Sequence, residues 1–229
     1  MATLFIVATP IGNLGDFSLR ALRILKEVDL ILGEDTRVTK KLLEHYQIEK
    51  PILSYHQHSK LKKVNYILEL LKQGKNLALV SDAGTPGISD PGEKLINFLL
   101  TSLGLAIKIV PIPGPSAVTA AASISGLPMD KFLFLGFPPT KRKRKKFFQE
   151  VIKSKYSVIF YESPYRIIKT LKELSSFISD REVVVCRELT KKFETIYRGK
   201  IEEVIEKIER DKTKGEFVVI VSSKTWKRK

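Results

Sequence analysis

Asn76-Leu77-Ala78-Leu79-Val80 has the pattern of a buried strand, and the loop Ser81-Asp82-Ala83-Gly84-Thr85-Pro86-Gly87-Ile88-Ser89-Asp90-Pro91-Gly92 follows it directly. In open α/β sheets, ligands bind beyond the carboxyl ends of the strands. A loop with three glycines and two prolines at that place keeps its shape and brings bare backbone close to a ligand. Asp82 and Asp90 add carboxylates at its mouth. The alternative is a tight turn with helix-capping residues.

Strand and helix patterns alternate along the chain. The predicted strands are Leu4–Ala8, Val28–Leu32, Ile52–Tyr55, Leu77–Val80, Ile107–Val110, Phe132–Leu135, Ser157–Tyr161, Glu182–Cys186, Thr195–Arg198 and Glu216–Val221. The predicted helices are one capped by Ser18, Thr36–Tyr46, Lys60–Lys72, one starting near Pro91, Ser116–Ser125, Lys141–Lys153, Tyr165–Phe177 and Ile201–Arg210. The alternation predicts a mostly parallel sheet with helices on both faces. The proline-rich break Pro111–Pro115 predicts two α/β domains, 1–112 and 113–229.

Composition narrows the class of protein. The chain has 40 Lys and Arg against 25 Asp and Glu, a net charge of +15, which favours a polyanionic partner such as nucleic acid. A lysine-rich surface of the thermophile kind is the alternative. No apolar run is long enough to span a membrane, and the first residues lack the basic start of a signal peptide. Cys186 is the only cysteine. We therefore expect a cytoplasmic protein without disulfides, and no metal site among His45, His56 and His58.

Glycine- and proline-bearing or polar loops follow five of the predicted strands. Besides Ser81–Gly92 they are Thr9–Asn13, Pro113–Ala117, Tyr161–Pro164 and Arg187–Thr190. Five such loops predict one extended ligand site. Neither a G-x-G-x-x-G fingerprint nor a P-loop is present, and a nucleoside ligand without phosphates would fit this absence.

Two further segments carry charge of interest. Glu34-Asp35-Thr36-Arg37 follows the second strand and could position a substrate or transfer a proton, or it could simply cap a helix. Lys141-Arg142-Lys143-Arg144-Lys145-Lys146 is an unbroken basic run that precedes Phe147 and Phe148. It could hold RNA phosphates, or it could be a solvated helix start followed by two core phenylalanines. Six cations at a helix start oppose the helix macrodipole, which favours an external anion.

These motifs, taken in order along nearly the whole chain, resemble those of the ribosomal RNA small-subunit methyltransferase I family within the tetrapyrrole methylase superfamily. The segments that carry the resemblance are Ala8–Leu14, Glu34–Arg37, Ser81–Gly92, Pro113–Ala117, Tyr161–Arg166 and Arg187–Lys191. The family commonly continues into a small helical tail, whereas this sequence ends at Lys229 soon after its last predicted strand.

The resemblance implies two α/β domains of the tetrapyrrole methylase type, with a mostly parallel sheet in the first and a mixed sheet in the second. It implies S-adenosylmethionine bound in the cleft between them, a homodimer, and methylation of a cytidine ribose 2′-hydroxyl in the decoding region of small-subunit ribosomal RNA. The cofactor contacts it implies are Pro10, Ser81, Asp82, Ala83, Thr85, Ile88, Ser116, Ala117, Glu162 and Leu189. The RNA contacts we expect are Lys141, Arg142, Lys143, Arg144, Lys145 and Lys146.

The chemistry of methyl transfer to a hydroxyl suggests roles for five charged residues. A ribose hydroxyl is a weak acid, so a base or an orienting carboxylate helps, and Glu34, Asp35 and Glu162 are the candidates. Arg37, with Arg187, could hold a phosphate or polarise the hydroxyl. Two rival functions stay open: a methylase of a small tetrapyrrole or another non-RNA substrate such as a modified histidine, and a non-catalytic RNA-binding assembly factor.

Overall fold

A computed structural model describes residues 2–56, 59–90, 92–103, 107–211 and 213–226 of the chain. The chain divides into two compact units, Met1–Ser116 and Ala117–Lys229. Each unit contains one five-stranded sheet. The boundary predicted from sequence, between Ile112 and Pro113, falls just before this division. Within the described ranges, no helix combines the length and the apolar character needed to cross a membrane.

The sheet of the first unit is parallel throughout, with the strand order β3-β2-β4-β1-β5. Its strands are β1 (Thr3–Val7), β2 (Leu30–Gly33), β3 (Ile52–Ser54), β4 (Leu77–Val80) and β5 (Lys108–Ile112). Its helices are α1 (Leu19–Glu27), α2 (Thr36–His45), α3 (Leu61–Lys72) and α4 (Glu93–Leu103), and a short 3-10 helix spans Leu14–Asp16. The mostly parallel sheet predicted from sequence is confirmed.

The central strand β4 is buried on both faces, which explains its unbroken apolar run. Leu77 and Leu79 belong to one core cluster, together with residues of α3 and α4. Ala78 and Val80 belong to another, together with residues of α1 and α2. This alternation follows from the two-residue period of a strand, and it places two helices on each face of the sheet.

The sheet of the second unit is mixed, as expected, with the order β6-β7-β10-β8-β9. Only β6 and β7 pair in parallel; the other pairs are antiparallel. The strands are β6 (Phe132–Phe134), β7 (Ser157–Glu162), β8 (Glu182–Arg187), β9 (Thr195–Lys200) and β10 (Phe217–Val221). The helices are α5 (Ala117–Ile124), α6 (Arg144–Lys153), α7 (Ile167–Ile178) and α8 (Ile201–Arg210). The helices α6, α7 and α8 share one core with the sheet, and α5 contacts β7 and β10.

Local hydrogen bonds account for both boundaries of α1. Ser18 caps α1 as predicted, because its Oγ accepts a hydrogen bond from the Ala21 N–H at 3.1 Å. The second strand starts later than predicted, at Leu30 instead of Val28. Val28 instead ends α1, since its N–H donates to the Ile24 carbonyl at 3.0 Å.

Candidate functional site

The strands β1 and β4 are neighbours, but the chain leaves them toward opposite faces of the sheet. After β1 it enters α1, whose buried side chains lie in one core cluster; after β4 it enters α4, which packs in the other. A pair of adjacent strands with such diverging connections is a topological switch point, where a crevice forms beyond the carboxyl ends. By this rule the loop that follows β4, described for residues 81–90, lies at the switch point.

Hydrogen bonds join the loops that surround the switch point. The Thr9 N–H donates to the Gly84 carbonyl at 2.9 Å, and the Gly84 N–H donates back to the Thr9 carbonyl at 3.1 Å. Thr85 Oγ1 donates to the Pro115 carbonyl at 3.1 Å. The predicted cofactor residues Pro10, Ser81, Asp82, Ala83, Thr85, Ile88 and Ser116 all lie on the loops that these bonds connect. The structure thus brings these seven residues to one edge of the first unit.

Two glycines keep the backbone of this edge bare. Gly87 has φ +87°, and no atom of the described residues lies within 4 Å of the position that a Cβ would occupy. At Gly114 a Cβ would lie 3.0 Å from the Cβ of Ala8, so a side chain there would push the loops after β1 and β5 apart. The first glycine leaves open backbone for a ligand, and the second allows two loops to pack closely.

Three carboxylates meet at this edge. Burial and the charge of Asp82 raise the pKa of Glu34, opposed by His56. Burial and the charge of Glu34 raise the pKa of Asp90 to about 6, although a hydrogen bond with Ser81 opposes the rise. The sequence alone places Asp90 at the mouth of the loop but gives it no role in the site, because its distance from Glu34 along the chain conceals their proximity in the fold. The edge is strongly negative and suits a cationic ligand without phosphates.

Asp90 gives this edge a pH-dependent stability. Because the pKa of Asp90 is raised above its ordinary value of 3.8, the folded state holds that proton more tightly, and stability falls as pH rises from about 4 to 6. We expect Asp90→Asn to raise the free energy of unfolding at pH 7.5 by about 1 kcal/mol, allowing for solvent screening, and to have little effect at pH 4. Urea unfolding at both pH values measures this. An equal effect at both would contradict the assignment.

Asp35 functions as a helix cap. Its Oδ1 accepts hydrogen bonds from the Arg37 N–H at 2.9 Å and from Arg37 Nε at 3.0 Å, and Oδ2 pairs with Arg37 Nη2 at 2.6 Å. The hydrogen bonds from Arg37 lower the pKa of Asp35 to about 2. The Asp35 N–H in turn donates to Asp82 Oδ1 at 3.0 Å. The capping alternative therefore describes Asp35, and Glu34 is the better proton acceptor of the pair. Arg37 is exposed, with its guanidinium on this cap.

Glu162 is at the end of β7 in the second unit. Its carboxylate is fully buried, and both of its oxygens accept hydrogen bonds. Its Oε2 accepts a hydrogen bond from Thr170 Oγ1 at 2.6 Å, and its Oε1 accepts one from the Ser163 N–H at 2.7 Å. Arg166 Nη2 pairs with Oε1 at 2.8 Å. A carboxylate held in this way orders the turn between β7 and α7. The structure therefore gives Glu162, predicted as a catalytic and cofactor residue, a structural set of partners.

The basic run does not start a helix as predicted. The helix α6 begins at Arg144, because Lys143 has φ +67°, a left-handed conformation outside the helix. The prediction that Arg144 contacts RNA is wrong, because its guanidinium is held inside the protein. It donates to Glu173 Oε2 and to Thr170 Oγ1, each at 2.8 Å. The other five cations are exposed; they are Lys141, Arg142, Lys143, Lys145 and Lys146.

Other predicted residues of the second unit are placed as follows. Phe147 and Phe148 belong to its core, so the core alternative for them is correct. Leu189 is buried, and its neighbours Glu188 and Thr190 have φ +54° and +66°, a strained arrangement for non-glycine residues. Arg187 is buried and donates to the Lys214 carbonyl at 2.7 Å, so it is not free to hold a phosphate.

Ala117 and the three histidines are the remaining residues of the sequence analysis. Ala117 is the first residue of α5. His58 lies outside the described residues. Among those that are described, no group of three or more His, Cys, Asp or Glu side chains could hold a metal ion. The chemistry of the first unit's edge therefore comes from its carboxylates and open backbone.

Comparison with known proteins adds independent findings. The family model described as Tetrapyrrole (Corrin/Porphyrin) Methylases matches residues 3–205. The Ribosomal RNA small subunit methyltransferase I of Thermotoga maritima is 46% identical over 224 residues, covering 98% of this chain and 100% of that protein. The protein of the same name from Bacillus subtilis is 46% identical over 222 residues, covering 96% of this chain and 75% of that protein.

Solved structures agree on the fold. The methyltransferase CobJ has a TM-score of 0.71 at 18% identity, over 100% of this chain and 97% of that one. Diphthine synthase has a TM-score of 0.75 at 15% identity, over 99% of this chain and 92% of that one. At such low identity these likenesses support the architecture, and they leave the substrate to be argued from the chain's own residues.

Proposed function

We propose that this chain, which belongs to the tetrapyrrole (corrin/porphyrin) methylase family, methylates the 2′-hydroxyl of a cytidine ribose in the decoding region of small-subunit ribosomal RNA. Relatives 46% identical over nearly the whole chain are named as methyltransferases of that RNA, and this chain is an S-adenosylmethionine-dependent enzyme of the same kind. Two charged surfaces carry the proposal. The switch point of the first unit is lined by carboxylates, and the second unit has an exposed run of cations.

The residues at the switch point fit S-adenosylmethionine. The cofactor carries a sulfonium and an ammonium group, and Glu34, Asp82 and Asp90 supply the opposite charge. The open backbone around Gly87 suits close approach of a nucleoside, and Thr85 is fixed on Pro115 at the same edge. When bound, the cofactor supplies an electrophilic methyl group for in-line displacement. We propose that Asp82 and its neighbours Ser81, Ala83, Thr85 and Ile88, with Pro10 and Ser116, hold it.

Within this proposal the chain's own residues contribute positioning and proton transfer. Methyl transfer needs the acceptor oxygen in line with the bond that breaks, so rigid loops provide much of the rate. Glu34 is half-buried with a raised pKa, which brings its basicity closer to neutral pH. We propose Glu34 as the group that accepts the hydroxyl proton. Asp35 supports it indirectly, because it caps α2 and donates its N–H to Asp82.

The exposed cations of the basic run are proposed to bind RNA phosphates. Because five of its six cations are exposed and no acidic residue interrupts the run, its charge is available to a polyanion. We expect replacement of Arg142, Lys143, Lys145 and Lys146 by serine to weaken RNA binding and to reduce the slope of log affinity against log salt by about two to three. Affinity for the cofactor should stay the same, because these residues lie outside the switch-point loops.

Titration of small-subunit RNA at several salt concentrations measures this slope. The matched control replaces Lys60, Lys62 and Lys63, near the start of α3, in the same way. If the control lowers the slope and the variant of the run does not, the RNA footprint is on α3 and the proposed role of the run is wrong.

We also propose that the protein acts as a homodimer in the cytoplasm. Resemblance to its family supports the homodimer, and a substrate in the small (30S) ribosomal subunit supports the location. Sedimentation equilibrium measures the assembly directly: a mass of two chains supports the proposal, and a mass of one chain at micromolar concentration contradicts it.

A further inference from the structure

An exposed aromatic side chain precedes the basic run. Phe137 is 52% exposed, although it comes soon after the end of β6. Its ring centroid lies 5.3 Å from that of Tyr161, near the end of β7, and the ring of Tyr161 lies 5.0 Å from that of Phe134. Three rings therefore form a row at the ends of the parallel strands β6 and β7, and Phe137 is its exposed member.

The backbone beside Phe137 is fixed by two arginines. Arg166 Nη1 donates to the Pro138 carbonyl at 2.9 Å, and Arg144 Nη1 donates to the Pro139 carbonyl at 3.2 Å. The two prolines restrict φ further. We call residues 137–143 the braced loop, since both arginines hold it onto the start of α7. Arg166 is itself held by the buried carboxylate of Glu162.

The braced loop carries an aromatic ring at one end and free cations at the other. Lys141, Arg142 and Lys143 are exposed, and four residues of fully extended chain span at most about 14 Å. This limit applies to Phe137 and Lys141, which are four residues apart. A ring and a cation this close together can contact one short stretch of single-stranded nucleic acid. This feature could not be predicted from the sequence. Phe147 and Phe148 directly follow the basic run, so they were the evident candidates for stacking, but both are buried.

We propose that Phe137 stacks on an unpaired base of the RNA whose phosphates bind the cations of the braced loop. Every base has a π face, so stacking on an aromatic side chain requires no particular sequence. Proteins recognise RNA mostly through unpaired bases, which an enzyme of the proposed function must also reach. Tyr165, which is 96% exposed and adjacent to Arg166, offers a second ring on the same framework. The inference rests on the proposed RNA substrate and adds a base-binding position to it.

The same patch suits a second copy of this chain less well. If this patch lay on the axis of a two-fold dimer, the exposed cations Lys141, Arg142 and Lys143 of one copy would face the same cations of the other. Such local repulsion makes that placement unfavourable, whereas contact of the same cations with a polyanion is favourable. Charge complementarity therefore selects RNA as the occupant.

The test measures binding of a short single-stranded oligoribonucleotide that contains cytidine. We expect Phe137→Ala to weaken binding about 5- to 100-fold, because the stacking contact with the base is lost. The slope of log affinity against log salt should stay the same, because every phosphate contact is kept. Phe137→Tyr keeps a ring and should restore most of the affinity. Since Phe137 is exposed, the alanine variant should fold normally, and circular dichroism checks this.

A fluorescence measurement reports stacking directly. Trp226 is the only natural tryptophan, so the Phe137→Trp variant is made in a Trp226→Phe background. The oligoribonucleotide should quench its emission, and an abasic oligomer of equal length should not. Equal quenching by both, unchanged affinity of Phe137→Ala, or a change in oligomeric state with no loss of RNA affinity would each overturn the proposal. Methyl transfer by the parent enzyme to small ribosomal subunits, measured separately, would then show that only the stacking position had failed. Absence of that transfer would contradict the proposed RNA substrate itself.

Discussion

Replacing Glu162 with alanine is expected to lower the free energy of unfolding of the second unit by about 3 kcal/mol or more. The substitution removes a buried carboxylate and leaves three donors without an acceptor, from Thr170, Ser163 and Arg166. It also releases Arg166, which holds the braced loop through the Pro138 carbonyl. We therefore expect both lower stability and weaker RNA binding.

Urea unfolding followed by the fluorescence of Trp226, which lies in the second unit, measures the effect. Glu206→Ala is the matched control, because that carboxylate forms only an exposed pair with Arg210 and should change stability by less than about 0.5 kcal/mol. If Glu162→Ala unfolds at the parental urea concentration but transfers methyl groups slowly, Glu162 has a catalytic role and the structural assignment is wrong.

Replacing Asp82 with alanine is expected to weaken binding of S-adenosylmethionine about 10- to 100-fold. Asp82 is exposed at the switch point, and its Oδ1 accepts one bond from the Asp35 N–H. Its remaining oxygen is available to a ligand, and its negative charge favours a cationic one. The fold should survive, because only one hydrogen bond at an exposed position is lost.

Calorimetry with the cofactor measures the affinity, and circular dichroism verifies the fold. Asp82→Asn separates two causes, since it keeps an acceptor and removes the charge; we expect an intermediate loss. Glu69→Ala on α3, an exposed acid paired with Lys72, should bind the cofactor as the parent does. Parental affinity in Asp82→Ala would mean that Asp82 belongs only to the turn.

The alternation of strands and helices could be predicted because the signals are local. The strand β4 follows from an apolar run between turn residues, and the start of α1 follows from Ser18 three residues before Ala21. The start of α6 was predicted wrongly. The charge run looked continuous with the helix, and neither the left-handed Lys143 nor the inward Arg144 leaves a local signature.

The roles of Glu34 and Glu162 could not be separated from sequence, because groups that determine their ionisation and bonding are distant along the chain. Glu34 and Asp82 come from different strands, and the proximity that raises the pKa of Glu34 exists only in the folded sheet. Glu162 differs from them because of Thr170 and Arg166, which α7 brings back onto the end of β7. The sequence pattern therefore predicted the loops that carry these acids. Their ionisation and hydrogen bonding depend on tertiary contacts, which the pattern does not contain.

The most direct test of the central claim uses the parent enzyme, methyl-labelled S-adenosylmethionine and small ribosomal subunits that lack the modification. After digestion of the RNA to nucleosides, we expect the label in 2′-O-methylcytidine, with at most one methyl group per subunit. Label in a base-methylated nucleoside would contradict the assigned acceptor. Unlabelled RNA, under conditions in which calorimetry shows the cofactor bound, would contradict the proposed RNA substrate.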